Sequence, residues 1–481
     1  MELNADLCYE ALRARDARFD GRFFVGVSTT GIYCRPVCTA RTPGRDRCRF
    51  FYQAAAAEIE GFRPCLRCRP ELAPGVAPVD AVRSAARWTL GRIESGALND
   101  EGFERLAAEY GLSSRQLRRA VVAEFGVTPV QLAQTRRLLL AKQLLTETAL
   151  PMAQVALGSG FASVRRFNHL FRDRYGLNPV AMRRSTSATL GQGVTLQLAY
   201  RPPLAWDVLL GFLTGRGAAG VEYAEGDRYL RTVRIGAHRG WIVAGPVSGR
   251  PMLQVEVSAG LIPALASLMP ALRRLFDLDA HPHTINAQLQ RDPRLAPLLL
   301  ATPGLRVPGA MDGFELALRA VLGQQVTVKA ATTLFSRFAL AFGEPAVTPH
   351  AGLKFYAPTA ERVAQASVQQ LIDLGLTQRR AQTIADLSRA LALGELVLDA
   401  GSNPESSAAR LQTIPGIGPW TTQYIAMRAL RDPDALPASD LGLMKALAVK
   451  RPREVIDAAQ AWRPWRAYAA LHLWHSVKAG G

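Results

Sequence analysis

Cys34 and Cys38 stand close together in Tyr33-Cys34-Arg35-Pro36-Val37-Cys38, and Cys65 and Cys68 in Arg63-Pro64-Cys65-Leu66-Arg67-Cys68. Two short-spaced pairs joined by a loop can offer four thiolates to one tetrahedral zinc ion. All six cysteines of the chain lie in its first 68 residues. Cys8 and Cys48 fall outside the paired pattern and read as ordinary buried thiols. Four thiolates around a divalent ion leave a net charge of about −2, which calls for cationic neighbours. Arg35, Arg41, Arg63, Arg67 and Arg69 supply them in sequence. Spacing alone leaves two readings open. The ion is an inert staple for a small domain, or it keeps a cysteine deprotonated and reactive at neutral pH.

A second chemical signal lies near the other end. Leu411-Gln412-Thr413-Ile414-Pro415-Gly416-Ile417-Gly418-Pro419-Trp420-Thr421 reads as a hairpin between two apolar helices. Gly416 and Gly418 allow backbone N–H groups to point outward together at the start of the next helix, an arrangement that binds phosphate. An acid follows in Leu436-Pro437-Ala438-Ser439-Asp440-Leu441. A hairpin glycine pair is weak by itself; the following aspartate gives it weight.

The elements that must position these residues follow from composition and periodicity. The chain has 481 residues, a net charge of +18 and a pI near 10.2. Such an excess points to a polyanion, most simply nucleic acid. It is not a basic tail: 28 basic and 18 acidic residues lie through Ser185, 30 and 22 after it. No apolar run reaches the roughly 18 residues of a membrane helix, and Met1-Glu2-Leu3-Asn4-Ala5-Asp6 is no secretory leader. A cytosolic protein is expected, with no membrane partner and as a monomer. In that reducing compartment the cysteines favour metal over disulfides.

The expected fold is multidomain α+β. Residues 1–74 form a small four-cysteine zinc domain and 80–184 an all-α domain with an internal repeat. Residues 193–281 form a small antiparallel α/β sheet domain and 282–481 an all-α domain built on the hairpin. Ala73 to Pro78 and Arg183 to Gly193 read as linkers. The repeat pairs Leu106-Ala107-Ala108-Glu109-Tyr110-Gly111-Leu112-Ser113-Ser114 with Val155-Ala156-Leu157-Gly158-Ser159-Gly160-Phe161-Ala162-Ser163. In each unit an alanine precedes a glycine by four residues and a serine follows it by three. The alanine lets helices approach, the glycine turns the chain and the serine (Ser114 or Ser163) caps the next helix.

The cysteine segment, with Thr29-Thr30-Gly31-Ile32 before it, resembles the N-terminal domain of Ada, the bacterial adaptive-response regulator. The resemblance implies one Zn2+ held by Cys34, Cys38, Cys65 and Cys68. It implies that Cys34 takes a methyl group irreversibly from methylphosphotriester DNA, and that Arg41 contacts DNA. Methylation would move the site from about −2 to −1 and weaken its repulsion of phosphate. The doubled helical unit is similar to the AraC-type DNA-binding domain, with two helix-turn-helix motifs. It implies recognition helices from about 114 to 125 and 163 to 175, presenting Arg115, Arg118, Arg119, Arg165, Arg166 and Asn168 to promoter DNA, and contact with RNA polymerase when the protein acts as an activator. Met182 stands where that family usually has an aromatic residue.

The hairpin and Asp440 resemble the helix-hairpin-helix DNA glycosylases. Tyr200-Arg201-Pro202-Pro203, Leu210-Gly211-Phe212-Leu213, Arg274-Leu275-Phe276-Asp277-Leu278, Val321-Leu322-Gly323-Gln324-Gln325 and Trp462-Arg463-Pro464-Trp465 narrow the likeness to 3-methyladenine DNA glycosylase II. This implies hydrolysis of the N-glycosidic bond of alkylated bases after base flipping. Asp440 would stabilise the developing sugar cation, and Trp420, Tyr424 and Trp474 would line the base pocket. Gly416 and Gly418 would hold a DNA phosphate, and Gln325 occupies the wedge position, where the family pattern has leucine. Trp420 replaces the lysine that would make a strand-cutting Schiff base. The lack of cysteines after Cys68 leaves no iron–sulfur cluster and no second methyl acceptor. The alternative is a transcription regulator whose glycosylase half is catalytically weak and serves to bind DNA.

Overall fold

The computed structural model describes residues 5–16, 19–73, 85–94, 96, 98, 102–110, 112–183, 193–399, 402 and 404–479. The N-terminal module is a four-stranded sheet ordered β3-β1-β2-β4, with β1 Phe24–Val27, β2 Ile32–Cys34, β3 Cys48–Phe51 and β4 Arg63–Pro64. Helices α1 (Ala5–Arg13) and α2 (Ala54–Ile59) pack on it. Strands β2 and β4 pair in parallel, Tyr33 opposite Pro64. This pairing sets the two cysteine pairs side by side, because Cys34 ends β2 and Cys65 follows β4. Cys8 and Cys48 are buried away from them beside Phe23 and Val25.

Next come α3 (Ala85–Glu94), α4 (Phe103–Tyr110), α5 (Ser114–Phe125), α6 (Pro129–Glu147), α7 (Met152–Gly158), α8 (Val164–Tyr175) and α9 (Pro179–Met182). The 19 residues of α6 span about 28 Å at 1.5 Å per residue and join the two repeat units. Thr128 caps α6 reciprocally with Gln131, and Pro129 opens it. Leu117 and Val121 of α5, and Phe167, Phe171 and Tyr175 of α8, face inward. One expectation is corrected. Ser163 caps α8, but α5 is capped by Ser113, whose box partner is Gln116; Ser114 is already helical. Gly111 lies outside the described residues. Met182 is buried in the core shared with Phe167 and Phe171.

A five-stranded antiparallel sheet follows, ordered β5-β9-β8-β7-β6: β5 Gly193–Ala199, β6 Glu222–Glu225, β7 Arg228–Ile235, β8 His238–Pro246 and β9 Met252–Ser258. Leu210 to Leu213 belong to α10 (Trp206–Thr214), the helix within this domain. Trp206, Leu209, Leu210 and Leu213 are spaced for one helical face, and that face is buried against the sheet. The second repeat unit and this sheet share one core, from Leu138 through Tyr175 to Val255 and Leu272.

The rest is helical: α11 Leu265–Leu275, α12 Pro282–Leu289, α13 Ala296–Ala301, α14 Gly313–Leu322, α15 Val328–Phe342, α16 Ala360–Ala364, α17 Val368–Asp373, α18 Gln378–Ala392, α19 Pro404–Gln412, α20 Pro419–Arg428, α21 Leu441–Ala446, α22 Pro452–Ala458 and α23 Arg466–Ala479. A single apolar core runs through α12 to α23, whereas α11 packs into the core of the sheet. Among the described residues no helix is long and apolar enough to cross a membrane.

Candidate functional sites

The four sulfurs of Cys34, Cys38, Cys65 and Cys68 lie within 4.8 Å of one another. A tetrahedron with Zn–S bonds near 2.3 Å needs sulfur separations of about 3.8 Å, so the residues fit the ion. Their own chemistry asks for a cation. Hydrogen bonding within the cluster, Cys34 foremost, holds Cys38 down to about 7 and drives Cys65 lower still. The same contacts push Cys34 and Cys68 up. Four sulfurs this close cannot all be thiolates without positive charge among them.

The arginines beside the cluster divide into two groups. Arg41, Arg63 and Arg67 are exposed. Arg35 is 4% exposed and turned inward. Its backbone N–H donates to Cys68 Sγ at 3.3 Å, one Nη donates to the Cys68 carbonyl at 3.1 Å, and the guanidinium pairs with buried Asp20. Arg69 pairs with Glu71 at 3.1 Å and Glu147 at 2.5 Å. These two are internal struts, so the free positive charge near the sulfurs comes from the other three.

Those struts also join domains. The Asp20 carbonyl accepts from Arg201 at 2.8 Å, and Arg201 donates to the Asp279 carbonyl at 2.7 Å, so Arg35 leads toward the C-terminal half. On the other side Tyr33 donates to the buried Glu58 carboxylate at 2.8 Å. Thr135 of α6 and Tyr175 of α8 donate to the same carboxylate at 2.8 and 3.3 Å. Burial raises the Glu58 carboxyl, and these donors partly offset it. Lys142 of α6, fully buried, pairs with Glu71 at 2.5 Å. Tyr33, Cys34 and Arg35 are consecutive, yet the first leads through Glu58 to the helical rod, the second joins the sulfur cluster and the third leads through Asp20 to the sheet domain.

On the rod, Arg115, Arg118 and Arg119 are exposed on α5, and Arg165 and Arg166 on α8; Asn168 is half-buried. Gln134, Ser163, Arg165, Arg166, His169 and Leu170 line an open cleft of about 400 Å³. His169 was not singled out in the sequence. Its place one turn after Arg165 and Arg166 is the signal that would have found it.

The hairpin joins α19 to α20. Gly416 has φ 93°, and a Cβ there would sit 2.1 Å from Thr383 Oγ1. Only glycine fits this turn. Gly418 is extended and caps α20, with Pro419 at the first helical position. The helix start sets Trp420 and Tyr424 one turn apart. Their rings stack at 5.3 Å and 7°.

Asp440 caps α21, accepting from Leu443 N–H at 3.1 Å. Trp420 Nε1 donates to Asp440 Oδ2 at 2.9 Å, and Trp474 Nε1 to Oδ1 at 2.8 Å. The structure thus brings together Asp440, Trp420, Tyr424 and Trp474. Gly442 makes the approach possible, because a Cβ there would meet Asp440 Oδ1 at 3.0 Å and Trp474 at 3.1 Å. The neighbouring acids have other partners. Asp434 pairs with Arg463 at 2.5 Å and Arg466 at 2.8 Å, and Asp432 accepts from Asp434 N–H at 2.9 Å.

Sequence reasoning missed the cations behind the pocket. Arg428 donates to the Tyr424 hydroxyl at 2.9 Å. Arg216, from the loop after α10, lies 3.8 Å over the Phe212 ring, and Arg428 lies 5.1 Å from it. Burial would raise the Tyr424 phenol, but these two arginines turn the shift downward. Gln325 is exposed at the tip of the loop between α14 and α15.

A hairpin fold with an aspartate held between two indoles, joined to a double helix-turn-helix rod and a four-cysteine module, defines a DNA-repair glycosylase fused to a DNA-binding regulator. Four families match in chain order: the metal binding domain of Ada over residues 7–71, a helix-turn-helix domain over 106–185, the AlkA N-terminal domain over 195–312, and the HhH-GPD superfamily of base excision DNA repair proteins over 318–453. A probable bifunctional transcriptional activator/DNA repair enzyme AlkA of Mycobacterium tuberculosis H37Rv is 39% identical over 98% of this chain and 96% of its own length. DNA-3-methyladenine glycosylase 2 of Escherichia coli K12 is 36% identical over 58% of this chain and 96% of its own. A 3-methyladenine DNA-glycosylase from Archaeoglobus fulgidus shares the fold over 59% of this chain and 98% of its own, at 22% identity and a TM-score of 0.52. The chain belongs to the family of bifunctional transcriptional activator/DNA repair enzymes of the AlkA type.

Proposed function

We propose that this protein hydrolyses the N-glycosidic bond of alkylated bases such as 3-methyladenine in double-stranded DNA, and that its N-terminal module takes methyl groups from DNA phosphotriesters onto Cys34. The observation that carries the first activity is Asp440, fixed by two indole N–H groups beside the Trp420–Tyr424 stack. An alkylated purine carries positive charge and stacks favourably on electron-rich rings. As the C1′–N bond breaks, the sugar becomes cationic and the Asp440 carboxylate stabilises it. Water adds to C1′ and gives up its proton, leaving an abasic site and the free base. The hairpin N–H groups around Gly416 and Gly418 hold a backbone phosphate, and Gln325 meets the DNA at the loop tip.

In the second activity the Cys34 sulfur attacks the methyl carbon of a phosphotriester. An S–C bond forms, the O–C bond breaks and an ordinary phosphodiester leaves. Zinc, when bound, keeps the four sulfurs as thiolates. Arg41 is exposed to neutralise the phosphate. The gain of one positive charge at the site favours DNA, which the rod contacts through Arg115, Arg118, Arg119, Arg165, Arg166 and Asn168. As an activator the monomer contacts RNA polymerase. Working boundaries are 1–74, 80–184, 193–281 and 282–481.

Incubating zinc-loaded full-length protein with methylated duplex DNA tests both activities. Release of free 3-methyladenine is the expected result for the first, and a 14-Da adduct mapped to Cys34 for the second. Absence of either product removes that activity from the assignment.

A further inference from the structure

Two adjacent glutamines in the loop between α14 and α15 have opposite surroundings. Gln324 is pinned. Its Nε2 donates to the Gly416 carbonyl at 3.0 Å and to Thr421 Oγ1 at 2.9 Å, and Arg380 donates to its carbonyl at 2.6 Å. Thr421 directly follows Trp420, whose indole holds Asp440. Gln324 therefore ties this loop to the hairpin and to the pocket wall together.

Gln325 is exposed, and among the described residues its amide has no partner. Its backbone is left-handed, φ 55°, a conformation that L side chains adopt at a cost. Val326 beside it is also exposed, and Thr327 caps α15. An uncommitted amide on a left-handed backbone thus stands at a tip that Gln324 ties to the hairpin. Removing a base from the stack leaves its opposite base without a pairing partner. An aliphatic tip could only fill that gap. An amide carries both donors and acceptors, so it can also satisfy the edge of the base left behind.

We infer that Gln325 hydrogen-bonds the Watson–Crick edge of the base opposite the extruded nucleotide. The inference rests on the glycosylase reading and extends it to the intact strand. An amide that rotates about its last bond can present a donor and an acceptor in either order. All four bases offer such pairs, so Gln325 tolerates any opposite base yet requires that it be polar.

The test uses duplexes with a tetrahydrofuran abasic analogue, which leaves no lesion base to unpair. Opposite it stands either thymine or difluorotoluene, a thymine-shaped base without hydrogen-bonding groups. Zinc-loaded full-length protein, Gln325→Leu and Gln325→Gly are titrated with both, under excess unmodified competitor. Gly suits the left-handed backbone, so loss of discrimination in both variants does not come from a misfolded tip. The wild type is expected to bind the thymine duplex roughly three- to tenfold tighter, one net hydrogen bond, and both variants to bind the two duplexes equally. A wild type without preference, or a variant that keeps it, overturns the inference and leaves the glycosylase reading standing. Failure of the wild type to prefer either abasic duplex over unmodified DNA overturns both.

Discussion

Replacing Asp440 by asparagine separates charge from shape. The carboxylate accepts three hydrogen bonds, from Trp474 and Leu443 on Oδ1 and from Trp420 on Oδ2. In Asp440→Asn the oxygen can keep the first two. The amide nitrogen then faces the Trp420 N–H, donor against donor. The helix cap survives and the indole bracket loosens. The larger effect is electrostatic. A carboxylate about 4 Å from a developing sugar cation, at an effective dielectric near 20, is worth about 4 kcal/mol. Removal of one charge-stabilising group in other active sites costs about 3–4 kcal/mol. The single-turnover rate of 3-methyladenine release should therefore fall by roughly 10²- to 10³-fold. Affinity for a neutral abasic analogue should change less than about fivefold, because no sugar cation is present there. A variant that melts like the wild type yet releases base within tenfold of its rate would refute this account of Asp440. So would a loss of abasic binding as large as the loss of rate, which would mark a damaged pocket.

Two further outcomes follow from other sites. Chelating zinc should abolish phosphotriester methyl transfer and lower the melting temperature of the N-terminal module, while base release changes less than about threefold, since no pocket residue belongs to that module; scanning circular dichroism and the release assay check this. Burial holds the His472 imidazole down to about 4, below its ordinary 6.5, with His475 adding to the effect. Its folded form binds fewer protons than the unfolded one, so its stability contribution is present above pH 6.5 and is lost as pH falls toward 4. Between pH 7.5 and 5 the loss is about 2 kcal/mol, and the urea midpoints of His472→Gln should decline less over that range than those of the wild type.

Much of both sites was legible because their parts are close in sequence. Cysteine spacing showed the tetrahedral set, and the structure adds only the β2–β4 pairing that brings the two pairs together. The hairpin glycines, Trp420 and Tyr424 fall within nine residues. Residues whose partners are distant were not legible. Arg35 reads as a charge beside thiolates, yet it is buried on Asp20, fifteen positions away on an unrelated element. Lys142 lies on α6, and its buried partner Glu71 comes from the cysteine module, 71 positions away. Arg216 reaches the Tyr424 phenol from the sheet domain, and no local pattern announces that interaction. The shift from Ser114 to Ser113 as the α5 cap has a local cause that was readable: Gln116 sits three residues after Ser113, as a capping box requires.

The central claim is that one chain carries two alkylation chemistries at separate sites. Duplex DNA carrying both tritiated methylphosphotriesters and tritiated 3-methyladenine tests it in one reaction, by counting label on protein against label in free base. Wild type should fill both pools. Asp440→Asn should fill only the protein pool, with the label at Cys34, and Cys34→Ala only the free-base pool. Label on the Cys34→Ala protein, or both pools lost together in either folded variant, would contradict the claim.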